Sequence, residues 1–340
     1  MVMEGENKNK VECAVIVTYR CNAHCQMCQI WKKPTEIHKA IGTEILEKLP
    51  NGLKKINVSG GEPGLRKNLL DIVSILHGKT KKIDISTNGY FTQRLVEVGK
   101  LFPDVAFRIS VEGLPELNDK LRGIKNGFDR ALRTVIKLKE VGVKNTGFGI
   151  VISDKNKDDL LDLYNLCVMM GIELGSSTLH NSFYFNKYDN KIEDVDGTMK
   201  EMHKFIEALL QSRRRNLKLR IKDWARAFIN YGILKHIQGE RRPIPCGAAT
   251  ELFFLDPNGN ILACNGSEIP WVMGNLKENS FDEIWHNKQA NEVRERVAKC
   301  KRNCWMVGSA RPAMRSHPWV PLLWIAKNKI RLKLQKDIWC

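Results

Sequence analysis

The chain has 340 residues, 43% hydrophobic and 27% charged, a balance that excludes a disordered chain and allows a large core with an appended module. Its first ten residues are polar and lack the apolar core of a secretory signal, and no run approaches the roughly 20 apolar residues of a membrane span. A formal charge of +17 admits nucleic acid, an anionic membrane surface or an acidic or phosphorylated substrate; no zinc finger, helix-turn-helix or aromatic RNA-binding signature accompanies it, so nucleic acid ranks last.

From residue 11 to about 177, short β-branched runs alternate with helical stretches, the signature of a parallel βα sheet. Strands are predicted at 11–19, 54–59, 81–86, 105–111, 145–152 and 172–177, with helices near 43–49, 66–78, 90–100, 128–141 and 157–170. Six such units make an open α/β barrel whose site lies on the loops at the C-terminal strand ends.

The loop after the first strand carries Cys21, Cys25 and Cys28 in C-x3-C-x2-C spacing. Soft thiolates select iron–sulfur clusters or zinc over hard cations, and three of them can hold a [4Fe-4S] cube with one iron left open. An incomplete zinc knuckle and a reactive thiol cluster are the alternatives, with His24 a poorly placed fourth ligand. Gly60-Gly61-Glu62-Pro63 follows the next strand. Together these segments resemble the radical S-adenosylmethionine (SAM) superfamily, whose motif C-x3-C-x-Φ-C puts Met27 at Φ. The resemblance implies a partial (β/α)6 barrel and a cube on the three cysteines with SAM chelating its open iron. It also implies reductive cleavage of SAM to a 5'-deoxyadenosyl radical that abstracts a substrate hydrogen.

Several further residues fall where the resemblance implies SAM contacts. Gly60 and Gly61 are expected to make room for the methionine moiety, with Glu62 and Pro63 ending the strand. Asn88, in Ser86-Thr87-Asn88-Gly89, either reaches the ligand or merely forms an Asn-Gly turn. Ser110-Val111-Glu112-Gly113 and Asp119-Lys120-Leu121-Arg122-Gly123 resemble the paired motifs of the anaerobic sulfatase-maturase and peptide-modifying branch, in which Ser110 and Arg122 would hold the SAM carboxylate. A guanidinium suits a carboxylate because it can bond bidentately, although a surface ion pair would also explain Arg122. Asn118 departs from the histidine that relatives often carry. His180 is a candidate general base or an incidental hydrogen-bonder.

Residues 194–239 read as basic helices bridging two domains with their charges on a solvated face, rather than as a cradle for a phosphate-bearing substrate. Cys246, Cys264, Cys300 and Cys304 follow, the first two flanking a hairpin around Asp256-Pro257-Asn258-Gly259. Gly259, five positions before Cys264, matches the opening of the SPASM and twitch modules that follow radical SAM barrels. Four thiolates close a site completely, either around structural zinc or around a [4Fe-4S] cluster. The resemblance favours the cluster, in the shorter one-cluster twitch form, as an electron conduit. Cys13, Cys167 and Cys340 are left over, a pattern of a reducing compartment, and the expected location is cytoplasmic. Cys13 or Cys167 could donate hydrogen to a substrate radical, but a buried apolar role is commoner.

After Gly308 seven Lys or Arg face one acid, Asp337, and Trp319, Leu323, Ala326, Ile330, Leu334 and Ile338 recur at helical spacing, with Trp324 and Trp339 beside them. This tail reads as an interfacial membrane helix, which would put the protein on the inner face of a membrane, or as a helix docked on the barrel. An edge strand over 330–334 is a further option.

The expected organisation is a partial barrel at 11–190, a basic bridge at 191–243, a small α+β auxiliary-cluster module at 244–308 and the amphipathic tail at 309–340. The expected reaction is net oxidation or epimerisation of a carbohydrate-type or lipid-linked small molecule, with flavodoxin or ferredoxin as electron donor, because so few residues precede the first strand. Modification of a ribosomally made peptide is the alternative. A non-catalytic zinc-binding adaptor is the third reading.

Overall fold

A computed structural model describes residues 10–36 and 40–338, so that Trp339 and Cys340 lie outside it. Strands β1 (Glu12–Ile16), β2 (Lys55–Ser59), β3 (Ile83–Thr87), β4 (Ala106–Ser110), β5 (Thr146–Ile152) and β6 (Glu173–Thr178) pair in parallel in chain order. Between them run helices α1 (Thr43–Glu47), α2 (Leu69–Lys79), α3 (Thr92–Leu101), α4 (Pro115–Arg122), α5 (Gly127–Glu140) and α6 (Leu160–Met169). The sheet stays open, as the resemblance implied.

Helix α4 was not expected. It is eight residues long and mostly polar, and Pro115 at its start fixes the first turn while Gly123 ends it at φ 56° in the left-handed region. Helices α7 (Val195–Leu210) and α8 (Leu217–Ile237) follow, and α8 packs on β6, where Ser176 Oγ donates to Asn230 Oδ1 at 2.9 Å.

The basic segment departs from the solvated face expected of it. Arg213, Arg215 and Lys218 are exposed, but Arg214 and Arg226 are buried. Arg214 pairs with buried Asp223 at 2.7 Å, and Arg226 and Lys222 both pair with Glu173 at the start of β6. Arg108 reaches the same carboxylate at 3.1 Å. Despite burial, these three cations hold Glu173 well below the ordinary carboxylate range. Lys222 and Arg226 therefore fasten α8 to the sheet.

The hairpin β7 (Leu252–Leu255) and β8 (Asn260–Leu262), with β9 (Val272–Asn275), extends the barrel sheet itself. β7 pairs in parallel with the free edge of β1, Cys13 opposite Phe253, and β8 and β9 continue antiparallel, giving nine strands in the order β6-β5-β4-β3-β2-β1-β7-β8-β9. The junction covers an edge that would otherwise be unpaired. Helices α9 (Phe281–His286), α10 (Lys288–Ala298) and α11 (Val307–Ser316) lead on to α12 (Trp319–Lys333). Residues 330–333 are the end of α12 and Leu334 its C-cap, so the edge-strand option for 330–334 is wrong.

α12 docks on α7 and α8 through one face. Trp324 is buried, stacked 4.8 Å from Tyr231 and edge-on to Phe228 at 5.6 Å. Among the described residues no helix is long and apolar enough to cross a membrane.

Candidate active site

The cysteine loop leaves the C-terminal end of β1 and is clamped from several sides. His24 N–H donates to Arg122 O at 3.0 Å and Gln26 N–H to Leu121 O at 2.9 Å, so the end of α4 grips it. Gln29 N–H donates to Phe185 O, and Asn190 Nδ2 donates to Met27 O at 3.0 Å, bringing in the loop after β6. His24 lies exposed with its ring 4.3 Å from Trp31.

The two glycines serve the chain's own packing. A Cβ on Gly60 would come 2.5 Å from the Thr18 carbonyl oxygen, and one on Gly61 would strike the Arg20 carbonyl. Gly61 N–H donates to Thr18 O at 2.7 Å and Glu62 N–H to Arg20 O at 2.8 Å. Protein backbone of residues 18–20 takes the space on their Cβ side. Glu62 is fully buried and accepts from Gly64 N–H at 2.7 Å, Thr87 Oγ1 at 2.6 Å and Asn88 N–H at 2.6 Å. Pro63 opens a short 3-10 turn at Pro63–Leu65. Burial pushes the Glu62 carboxyl up, opposed by those donors.

Asn88 forms the turn that its sequence suggested and does more. Its Oδ1 accepts from Tyr90 N–H at 2.9 Å, while its Nδ2 donates to Asn22 Oδ1 of the cysteine loop at 2.8 Å. Gly89 takes φ 75° beside it.

Arg122 is 8% exposed, which rules out a surface ion pair. Its Nη1 donates to Glu112 Oε1 at 2.9 Å. Burial works against its charge, but Cys25, Glu112, Cys21 and Glu62 outweigh burial and raise its pKa. Glu112 Oε2 accepts in turn from Val151 N–H at 2.7 Å. Asn118 is fully buried and accepts from Glu112 N–H at 2.9 Å, so the departure from histidine is absorbed as a brace for the same strand end. Glu112 and Asn118 are the residues that sequence reasoning did not assign to the site. Their signal was a glutamate ten positions before the arginine, which only the folded loop makes meaningful. Tyr184 is another such residue: its hydroxyl donates to Gly60 O at 2.9 Å, and it feels the charges of Cys28 and Cys21.

The remaining candidates fall elsewhere. Cys13 and Cys167 lie in the apolar layer between sheet and helices, 1% and 0% exposed, with burial pushing both thiols up. Cys167 packs into the core from α6, while Cys13 also borders the cavity described below. His180 lies two residues past β6 with its ring stacked 5.1 Å from His236, and its Nδ1 lies 2.7 Å from Thr178 O. Burial depresses its pKa to about 4, with His236 adding to the effect, so it is neutral near pH 7.

Cys246, Cys264, Cys300 and Cys304 surround the far end of a cavity of about 360 Å³. The inward residues Asn57, Ser86, Arg108, Ser110, Glu112 and Ser177 line the barrel end of it. One lumen therefore runs along the inner face of the strands, from Ser110, Glu112 and Ser177 to the second thiol group. Arg242 fixes the Cys304 loop, donating to Cys304 O at 3.1 Å and stacking 5.0 Å from Trp305. Burial pushes Cys304 up to about 12, and the three other thiols add to this.

Both donor sets fit iron–sulfur groups. Among the described residues no three His, Cys, Asp or Glu side chains converge as ligands of a single metal ion. The thiols of each group instead feel one another's charge and offer sulfur only, and the second group lines one cavity. At the first group Ala23 N–H points at Cys21 Sγ, 3.4 Å away, and Arg122 lowers the cost of thiolate charge on all three cysteines against burial.

Two family models match, the Radical SAM superfamily over residues 15–167 and the SPASM iron-sulfur cluster-binding domain over 246–305. The chain is 26% identical over 298 residues to the Fe-coproporphyrin III synthase of Methanosarcina barkeri, covering 79% of this chain and 72% of that one. It is 22% identical over 306 residues to the sporulation killing factor maturation protein SkfB of Bacillus subtilis, covering 88% and 69%. The crystal structure of Streptococcus suis SuiB bound to S-adenosylmethionine shares the fold, with TM-score 0.63 at 17% identity over 84% of this chain and 67% of that one. The cysteine loop braced by α4, the open parallel sheet and the four-thiol module agree with both matches, and the chain is a radical SAM enzyme with a C-terminal SPASM-type auxiliary-cluster module, using SAM and [4Fe-4S] clusters.

Proposed function

We propose that this enzyme modifies a ribosomally made peptide whose reacting side chain enters the lumen. The lumen is the observation that carries this reading: Ser110, Glu112 and all four auxiliary thiols line it, and Glu112 is tied to the cysteine loop through Arg122. When bound, the cluster and SAM would supply a 5'-deoxyadenosyl radical. On the protein side, Cys21, Cys25 and Cys28 would hold the first cluster. Arg122, kept charged and oriented by Glu112, would present its donors to the SAM carboxylate, with Ser110 beside it. Met27 and Gly60 to Pro63 would shape the same wall, and Asn88 would hold the cysteine loop through Asn22. Cys246, Cys264, Cys300 and Cys304 would hold a fully ligated cluster as an electron conduit, with a flavodoxin or ferredoxin in a reducing cytoplasm as donor.

The comparisons reverse the order of the two sequence readings. SkfB is named a maturation protein, and SuiB has been solved with its precursor peptide SuiA. Neither name points to a carbohydrate. The short segment before β1 carries no weight against a peptide, because leader recognition can reside in another protein. A small-molecule substrate is the second reading, favoured by the name of the Methanosarcina relative. Net oxidation and epimerisation both remain within the proposal, since the relatives' names span synthases and maturases.

The test is anaerobic turnover of the reconstituted enzyme with SAM and reductant, scored as 5'-deoxyadenosine. A short Cys-, Thr- or Gly-rich precursor encoded beside the gene is expected to raise the rate and to change mass. A rate unmoved by such peptides but raised by a porphyrin or a sugar overturns the peptide reading.

A further inference from the structure

We propose that the outer face of α12 docks the enzyme on an anionic phospholipid bilayer. The helix has two apolar faces. Pro321, Trp324 and Asn328 are buried against the body of the protein. On the other side Trp319, Leu323, Ile330 and Leu334 fall within about 60° of one another at 100° per residue. They are 72%, 68%, 59% and 61% exposed, and Leu322, 55% exposed, lies beside them. A helix whose second face stays this apolar in water has a further partner.

The charges select the partner. From Val307 through Lys336 the chain contains no Asp or Glu, while Lys327 and Lys333 are exposed on α12 and Lys336 is exposed just past its end. Lys329 sits over the Trp224 ring, 3.5 Å from its centroid, which brings the end of α12 beside the first turns of α8. There Leu217 and Ile221 are 54% and 50% exposed, next to exposed Arg213, Arg215 and Lys218. Two copies joined through this face would bring like charges together, and a neutral apolar partner would leave the basic rim unmatched. An apolar stripe with Trp at one end and Lys along its flanks matches a lipid surface that is apolar below and anionic above. The placement is peripheral, because α12 has only 15 residues and its inner face is already packed.

The test is cosedimentation of the full-length reconstituted enzyme with phosphatidylcholine vesicles, with and without about one-third phosphatidylglycerol, at low and high salt. Binding is expected to anionic vesicles only and to weaken with salt. The double variant Leu323→Glu/Ile330→Glu should bind at least about tenfold more weakly, while its far-UV spectrum, melting temperature and SAM cleavage stay those of the parent. Absence of binding to anionic vesicles, or equal binding by the double variant, overturns the proposal. So does a parent dimer that the double variant turns into monomer with lipid binding unaffected, which would identify the face as a self-association surface.

Discussion

Arg122 and Glu112 form a buried ion pair at 2.9 Å beside the lumen that Glu112 lines, and the arginine's own carbonyl accepts from His24 N–H of the cysteine loop at 3.0 Å. One residue thus ties the strand-end carboxylate of the barrel to the loop that carries the three thiols. Its guanidinium faces Cys21 and Cys25 as well as Glu112.

Replacing Glu112 by Gln should therefore leave a buried guanidinium without its counter-charge. Breaking such a pair from one side costs about 3–5 kcal/mol, partly as stability and partly as a misplaced Arg122. We expect SAM affinity to fall at least about tenfold, measured anaerobically by calorimetry, with cluster content retained. Unchanged affinity and stability would show that the pair is dispensable.

Gly60→Ala and Gly61→Ala should each displace the cysteine loop, because the obstructing atoms are backbone carbonyls of residues 18 and 20. The expected result is loss of iron and acid-labile sulfide at the first site although all three cysteines are present. Gly78→Ala is the control: nothing lies within 4 Å of its Cβ position in α2. That change should leave metal content intact and stabilise by about 0.5–1 kcal/mol. Full iron content in Gly61→Ala would contradict the packing role.

Alanine at Cys21, Cys25 and Cys28 together should abolish SAM cleavage. Alanine at Cys246 and Cys264 should spare 5'-deoxyadenosine formation while suppressing product, since those thiols line the far end of the lumen. Cys13→Ala and Cys167→Ala should retain turnover and lower only stability, by about 1–2 kcal/mol, as small cavities in the helix-side layer. Chromatography of nucleoside and product after single turnover separates the three cases.

His180 gives a pH dependence of defined sign. Its folded-state pKa of about 4 lies below the ordinary value of 6.5, because burial disfavours the imidazolium. Between those values the unfolded chain binds the extra proton, so its contribution is complete above pH 6.5 and is lost as pH falls toward 4. The loss amounts to about 3 kcal/mol. Urea unfolding at pH 7.5 and pH 5 should show a smaller difference for His180→Gln than for the parent. An identical difference would mean that the ring is not buried neutral.

Much of this molecule was legible before folding. The six strands fell within two residues of their predicted ends except at 11–19, where the chain leaves the sheet at Ile16 to begin the cysteine loop. The spacing of Cys21, Cys25 and Cys28 and of the later four cysteines identified the donor chemistry, since ligand type and local spacing are properties of short segments. The reason for Gly60 and Gly61 was not legible, because it lies in a carbonyl contact with residues 18–20.

The sequence by itself determined which groups are soft donors, where strands and helices alternate, and that the tail is basic and amphipathic. Tertiary structure decided which charges are buried and which face is wet. Glu173 gathers Arg108, Lys222 and Arg226 from three distant elements, turning a segment that reads as solvated into a fastening. Helix α12 buries Trp324 and leaves Leu323 in water. Periodicity marks the side chains of a helix that avoid water, but only packing against a particular neighbour settles which of them do.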